Sequence, residues 1–354
     1  MDKKQEVINT LKEYNQDHII RLLEKINEKK QNELIKQIQT IDFHQIMELY
    51  NNTKKEIKFK ESKIEPLEYL DKAKLTETQK AKFDKLGEET VKKGEYAVVT
   101  MAGGQGTRLG HPGPKGTFKL DVYGKGKYLF EILVDNLKEA NQKYGTTISW
   151  YIMTSKENND ATVKFFEDHD YFGYPKDKVV FFKQGQLPMI DTKGKVLIGE
   201  DGLIKQSADG HGGIFLSMKK NGIIYDMKSR GIEWAFIGGV DNVLVNMVDP
   251  VLLGLAIDKK VLAAGKSVVK AGPHEKVGVF CKRNGKPSVV EYSEISEEMA
   301  EATIRMLLDL IRKKHKSRHL VFEGQLIEGQ SVRNIRENEG GANYESKWNT
   351  ASDQ

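Results

Sequence analysis

The sequence predicts an α/β protein in which a largely parallel sheet is flanked by helices and preceded by a helical layer. Three observations carry this. Apolar residues over 2–50 recur at three and four spacing, the helical period. From Glu95 onward, short apolar, β-branched runs alternate with helical stretches, which implies crossover connections and parallel strands. The first such run feeds directly into a glycine-rich turn, at the strand end where open parallel sheets hold their ligands.

In the first segment Val7, Leu11, Ile19, Leu22, Leu23 and Ile26 form one apolar stripe, and Leu34, Ile35 and Ile38 form another. Lys and Glu fill the other faces, so this is a small helical layer packed on a larger body. Residues 51–75 are polar, contain Pro66 and read as a connector. A helix fits 76–93, with Thr76 as N-cap, Gln79 completing a capping box and Gly94 as the stop.

Strand 96–101 opens the alternating region. A helix is expected over 129–144, closed by Gly145, then a strand over 148–153 and a helix over 158–168. A strand at 179–182 follows, then a helix at 214–220, a strand at 233–237 and a helix at 250–264. Short strands are expected at 267–270, 277–281 and 288–292. The organisation read from this is a helical region over 1–94, a catalytic domain over 95–303 and an atypical tail over 304–354.

Composition narrows the function. There are 56 Lys plus Arg against 51 Asp plus Glu, and a net charge of +5 with mixed signs is not that of a nucleic-acid binder. The single cysteine, Cys281, excludes an intramolecular disulfide and a cysteine-based zinc site. The N-terminus has no apolar signal-peptide core, and no run of about 18 apolar residues could span a bilayer. The expectation is a cytoplasmic protein with small-molecule partners, no nucleic acid and no membrane.

The stretch YAVVTMAGGQGTRLGHPGPKGTFK, residues 96–119, carries the chemistry. Glycines let a ligand approach the main chain closely, and successive N–H groups in such a turn form a nest for an anion. Arg108 and Lys115 add two positive charges. The block describes a cradle for a polyphosphate. It is not a kinase-type P-loop, because Lys115 follows Pro114. It is not the dinucleotide fingerprint either, because Leu109 stands where the third glycine belongs. A looser spacing through Gly104, Gly106 and Gly110 leaves an NADP-dependent oxidoreductase as an alternative. The strand at 148–153 disfavours it, since Thr154 and Ser155 follow where an acid or Arg should hold the ribose.

The motif A-G-G-x-G-T-R-L-G at 102–110, followed by P-K-G at 114–116, resembles the signature of the UDP-sugar pyrophosphorylases, in particular the UDP-N-acetylglucosamine pyrophosphorylase-like uridylyltransferases. The resemblance implies a Rossmann-like, GT-A-like nucleotide-diphospho-sugar transferase fold with a mixed sheet. It implies synthesis of a UDP-sugar and pyrophosphate from UTP and a sugar 1-phosphate, with Mg²⁺ (or Mn²⁺). By this resemblance Arg108 and Lys115 are catalytic, and Ala102, Gly103, Gly104, Gln105 and Gly106 cradle UTP.

Further matches follow. Gln184, in QGQLP, matches the residue that contacts uracil, and an amide suits a uracil edge because it both donates and accepts. In DGHGG, Gly210 matches a uracil contact and His211 a sugar contact. The N-acetylglucosamine enzymes commonly carry D-G-N-G-G there, whereas the UDP-glucose enzymes carry G-H-G. The sugar is therefore N-acetylglucosamine 1-phosphate or glucose 1-phosphate. On the residues alone, Asp209 reads as a cap for the helix that follows. Asp241, in V-D-N after a strand, matches the metal ligand. Gly278 and Glu291 match sugar contacts on later strands.

The resemblance stops at Thr303. The family continues into strands bearing an asparagine that helps hold the metal and a later lysine that reaches the phosphates, and neither follows here. The tail, almost without apolar residues at its end, reads as disordered and as the product of a frame change or truncation. A catalytically impaired UDP-sugar-binding protein is thus the second alternative.

Overall fold

The computed structural model describes residues 3–55, 63–122, 124–270, 275 and 277–291. The tail beyond 303 and the expected strand end at Tyr292 lie outside them. The chain divides into two units, Met1–Ile57 with Thr90–Val243, and Lys58–Glu89 with Leu244–Gln354.

The first unit holds a four-stranded sheet of β2 (Tyr96–Met101), β5 (Ser149–Thr154), β6 (Val179–Lys183) and β9 (Trp234–Gly239), in the order β6-β5-β2-β9. Every pairing in it is parallel. The antiparallel pairs, such as β3 (Lys119–Val122) with β4 (Lys125–Tyr128), form separate small ribbons. A parallel sheet is covered on both faces, so its strands are apolar throughout. Here β2 and β5 are buried along nearly their whole length. On one face Ala97, Val99, Tyr151 and Met153 pack against Ile214 and Met218 of α8 (Ile214–Lys220) and Ile223 and Met227 of α9 (Ile223–Ser229). Tyr151 donates to Asp226 Oδ2 at 2.8 Å, and burial and then that bond push its phenol above its ordinary range. On the other face Trp150 meets Phe130 of α6 (Leu129–Tyr144) and Phe166 of α7 (Asn159–Asp168) edge-on.

Helices α1 (Lys3–Glu13), α2 (Asp17–Leu23), α3 (Glu28–Gln39) and α4 (Phe43–Thr53) make up the N-terminal layer. Their apolar stripes close a core around Leu11, Ile19, Leu23 and Leu34. Val196 and Ile204 complete that core, and both belong to an arch of chain between β7 (Gln186–Pro188) and β8 (Gln206–Ala208).

In the second unit β1 (Ile64–Pro66) pairs antiparallel with β10 (Val279–Arg283), which pairs with β11 (Lys286–Val290). The connector expected over 51–75 therefore contains a strand. Pro66 is tolerated there because β1 is an edge strand. Asn284 and Gly285, with φ of 53° and 77°, make the two-residue turn between β10 and β11. Residues 267–270 form no strand. Helix α10 is Pro250–Asp258, shorter than expected. Lys260 adopts a φ of 52°, and Val261 N–H returns to Ala256 O at 3.1 Å, a left-handed ending ahead of the expected one.

The capping box of α5 (Glu77–Lys92) is present, with Thr76 N–H donating to Gln79 Oε1 at 2.9 Å and Gln79 N–H to Thr76 Oγ1 at 3.2 Å. In the second unit this helix meets α10 at two glycines. A Cβ on Gly87 would run into the Pro250 backbone, and one on Gly254 into the Phe83 backbone. No described helix is long and apolar enough to cross a membrane.

Candidate active site

Numbered in chain order, the sheet runs third, second, first, fourth strand, so the order reverses between β2 and β9. Such a switch point opens a crevice at the carboxyl ends of the strands. The loops leaving all four strands there carry the residues of interest. After β2 comes the glycine loop with Arg108 and Lys115, and after β5 come Ser155 and Asn158. Gln184 follows β6, and Val240 with Asp241 follow β9.

The glycine loop folds back on itself. Gly106 N–H donates to Gly113 O at 2.9 Å and Lys115 N–H to Gly104 O at 3.0 Å. That pairing leaves the N–H groups of Gly103, Gly104 and Gln105 without an acceptor among the described residues. Three consecutive N–H groups are thus left free to meet an anion. Ala102 is buried beneath them, its N–H bonded to Met153 O at 2.7 Å. Gly106 is buried at the turn, and Arg108 is exposed on a short 3-10 turn, with no ion pair or side-chain hydrogen bond among the described residues.

Lys115 Nζ lies 2.7 Å from Asp241 Oδ1, bridging the switch point from β2 to β9. The lysine is mostly buried and the aspartate side chain is 59% exposed. Among the described residues no group of three His, Cys, Asp or Glu side chains could enclose a metal. Asp241 is a lone, accessible carboxylate. That fits Mg²⁺, which uses one or two carboxylates and takes its other ligands from phosphate and water.

Gln184 is 8% exposed, and its backbone N–H is held by Thr154 O at 2.8 Å. Its side-chain amide has no partner among the described residues. It lies close against Gly103, where a Cβ would come within 2.6 Å of Gln184 Oε1 and push the amide aside. Gly210 has φ 76° and ψ −168°, a backbone state open essentially to glycine alone. It and the exposed His211 start the turn leading into α8. Asp209 does not cap that helix, whose N-cap is Gly213 with no side-chain bond. The Asp209 carboxylate instead lies between Gly185 and Gly213, with Oδ1 buried and unpartnered among the described residues.

Gly278 and Glu291 belong to the second unit. They are brought together there, with a Cβ on Gly278 falling 3.4 Å from Glu291 Oε2.

Sequence reasoning missed Asn158. Fully buried, it donates from Nδ2 to Ala102 O at 3.0 Å and Gly104 O at 3.3 Å, and accepts Ser155 N–H at 2.7 Å. It ties the loop after β5 to the glycine loop. It also missed His111, whose Nε2 lies 2.7 Å from Thr117 Oγ1. Thr117 gives its one proton to Pro114 O at 2.8 Å, so His111 Nε2 must be the donor. Nothing in the local pattern marks either residue, because Asn158 acts on backbone brought near by the fold and His111 on a threonine hydroxyl six residues on.

A parallel sheet with a glycine loop of free N–H groups, a lysine and an accessible carboxylate around its switch point defines a doubly wound α/β protein of the nucleotidyltransferase type. The chain belongs to the UTP–glucose-1-phosphate uridylyltransferase family, whose model matches residues 40–306. It is similar to UDP-N-acetylglucosamine diphosphorylase 2 of Arabidopsis thaliana, 36% identical over 84% of this chain and 62% of that protein. It is also similar to UDP-N-acetylglucosamine pyrophosphorylase of Saccharomyces cerevisiae, 44% identical over 62% of this chain and 46% of that protein. Among solved structures, the uridine diphosphate N-acetylglucosamine pyrophosphorylase of Trypanosoma brucei superposes with a TM-score of 0.69 at 29% identity, covering 83% of this chain and 62% of that one. The chain thus spans less than two thirds of the length of these relatives.

Proposed function

We propose that this chain transfers a uridylyl group from UTP to a sugar 1-phosphate, releasing pyrophosphate, with residues 95–303 as the catalytic region. The observation that carries the reading is the convergence at one switch point of the free N–H groups of Gly103, Gly104 and Gln105 with Lys115 and Asp241. A site built so can neutralise the charge of two phosphate-bearing substrates, which otherwise repel one another. Phosphoryl-type transfer asks mostly for positioning and charge stabilisation.

In this reading a phosphate oxygen of the sugar attacks the α-phosphorus of UTP, and pyrophosphate leaves in line. The nucleophile is already ionised, so no general base is required. The loop N–H groups, Arg108 and Lys115 stabilise the charge that builds on the phosphates. Asp241, released from Lys115, would hold Mg²⁺ (or Mn²⁺) together with phosphate oxygens. The metal would supply further neutralisation at the same oxygens. Gln184 and the Gly210 backbone read the uracil edge. His211, Gly278 and Glu291 contact the sugar.

The names of the relatives support N-acetylglucosamine 1-phosphate as the acceptor. His211 is the residue at which this chain departs from the loop common in such enzymes. A cytoplasmic location is part of the reading, supported by a single buried cysteine. The test is Mg²⁺-dependent pyrophosphate release with UTP and a panel of sugar 1-phosphates. Turnover with the N-acetylated sugar supports the proposal, and turnover with glucose 1-phosphate alone reassigns the sugar through His211. UTP or UDP-sugar binding without turnover makes the chain a UDP-sugar-binding protein instead.

A further inference from the structure

The arch at 190–204 stands on two feet, and both feet are in the proposed site. Strands β7 and β8 pair Gln186 with Ala208, Leu187 with Ser207 and Pro188 with Gln206. One end of this ribbon continues straight from Gln184, and the other runs into Asp209, Gly210 and His211. Asp209 N–H donates to Gly185 O at 3.1 Å, closing the pair at its base. A strand slip of one residue turns every side chain to the opposite face. The ribbon register therefore sets how the Gln184 amide faces the Gly210–His211 turn.

Above that ribbon the arch folds on itself, with bridges between Ile190 and Val196 and between Ile198 and Ile204 and backbone bonds such as Met189 N–H to Lys205 O and Lys205 N–H to Leu197 O, each at 2.8 Å. Several of the backbone groups that these bonds leave over are met by side chains of the N-terminal helices. Gln16, 1% exposed, accepts Val196 N–H at 2.9 Å and donates to Gly194 O at 3.0 Å. Gln37 accepts Ile204 N–H at 2.8 Å, donates to Ile204 O at 2.8 Å, and reaches Gln206 Oε1 at 3.2 Å. Each glutamine thus pairs with the arch as a short strand would. Tyr50 adds a bond to Thr192 O at 2.9 Å, and Val196 and Ile204 insert into the helical core. The helices grip the arch on both arms and at its tip.

We infer that Gln16 and Gln37 are positioning residues for base recognition: through the arch they fix the register that brings Gln184 and the Gly210–His211 turn to the same nucleotide. This rests on the uridylyltransferase reading above. Neither glutamine touches the ligand. The glycine loop and Lys115, which would hold pyrophosphate alone, receive no contact from the arch among the described hydrogen bonds. The arch therefore separates binding of the base from binding of the phosphates.

The test uses the full chain with Gln16→Leu and Gln37→Leu, singly and together, which keep bulk but remove the amides. UTP, UDP, CTP and pyrophosphate binding are measured by calorimetry. The expected result is UTP and UDP weakened about three- to thirtyfold, a range typical for residues that act at a distance. Discrimination against CTP should fall and pyrophosphate binding should stay unchanged. Folded variants that bind UTP as the unmodified chain does would overturn the inference. So would an equal loss of UTP and pyrophosphate, which marks general damage. If the variants do not fold, hydrogen exchange on the unmodified chain decides. UTP, but not pyrophosphate, should slow exchange at the Val196 and Ile204 amides, the two bonded to the glutamines. Protection confined to Gly103–Gln105 sinks the idea. Failure of the unmodified chain to bind UTP at all would count against the uridylyltransferase reading itself.

Discussion

The Lys115 ammonium and the Asp241 carboxylate hold each other at 2.7 Å across the point where the sheet order reverses. With no substrate present, each of the two residues proposed to meet the triphosphate and its metal is neutralised by the other. In the proposed reaction, ligand entry would exchange this pair for a lysine–phosphate and a carboxylate–metal contact, so the site would change partners without gaining an uncompensated charge.

That exchange separates activity from stability. An ion pair with one half-exposed partner contributes less than about 1 kcal/mol to folding. Asp241→Asn should therefore melt within a few degrees of the unmodified chain while losing Mg²⁺-dependent pyrophosphate release. Lys115→Ala should keep its fold and lose on the order of 10²–10³ in rate, as when one preorganised donor is removed. Near-normal UDP-sugar formation by Lys115→Ala removes the lysine from the mechanism.

Gln184→Ala should weaken UTP and UDP and leave pyrophosphate untouched, because the amide faces Gly103 and bonds to nothing else described. Calorimetry with the three ligands reads this directly. If the unmodified protein accepts ATP as readily as UTP, base reading by Gln184 is wrong.

Asn158→Leu should act differently. It strips a buried donor from Ala102 O and an acceptor from Ser155 N–H, at a cost of about 2–4 kcal/mol. The glycine loop then loses its tie to the β5 end, so UTP and pyrophosphate should weaken together. A melt and a pyrophosphate titration check both halves. Equal stability with intact pyrophosphate binding would show the loop holds its shape alone.

Asp249 links acid stability to the start of α10. Its carboxylate accepts Leu252 N–H at 3.1 Å and pairs with Lys266 at 2.6 Å. Burial pushes the carboxyl up, but the Lys266 charge and hydrogen bond, the Leu252 N–H and Lys72 together hold it below its ordinary value of 3.8. A depressed carboxyl contributes stability above the ordinary value and loses it as pH falls through the lowered one. Asp249→Asn keeps a good cap but not the charge, and should cost about 2 kcal/mol at pH 7, with the deficit shrinking below the carboxylate range. Melting curves at pH 7 and pH 3 test it, and a deficit of the same size at both assigns it to packing.

The framework was legible where local pattern and tertiary demand agree. The apolar run of β2, the Gly145 stop of α6 and the Thr76–Gln79 box each appear where the sequence places them. The glycine loop was legible because close ligand approach and tight turns both demand glycine. The grip of Gln16 and Gln37 on the arch was not, since a glutamine bonded to backbone far along the chain looks like any helix-surface glutamine. The pairing of Lys115 with Asp241 depends on strand order, which no local window contains. Strand β1 was hidden by Pro66, although the Asn284–Gly285 dipeptide was a hairpin signal ready to be used. The early end of α10 comes from Lys260, a residue with no special preference for a positive φ.

The glycine-to-backbone meeting of α5 and α10 bears on the order in which the chain is made. Gly87 and Gly254 lie far apart in sequence, and each gives room to the backbone of the other helix. During synthesis α5 leaves the ribosome early and has no matching surface until residue 258 has followed. At ordinary elongation rates that wait is about 10–30 s. The parallel sheet is complete once β9 has emerged and can form within that interval, so the four strands can pair before α5 meets α10.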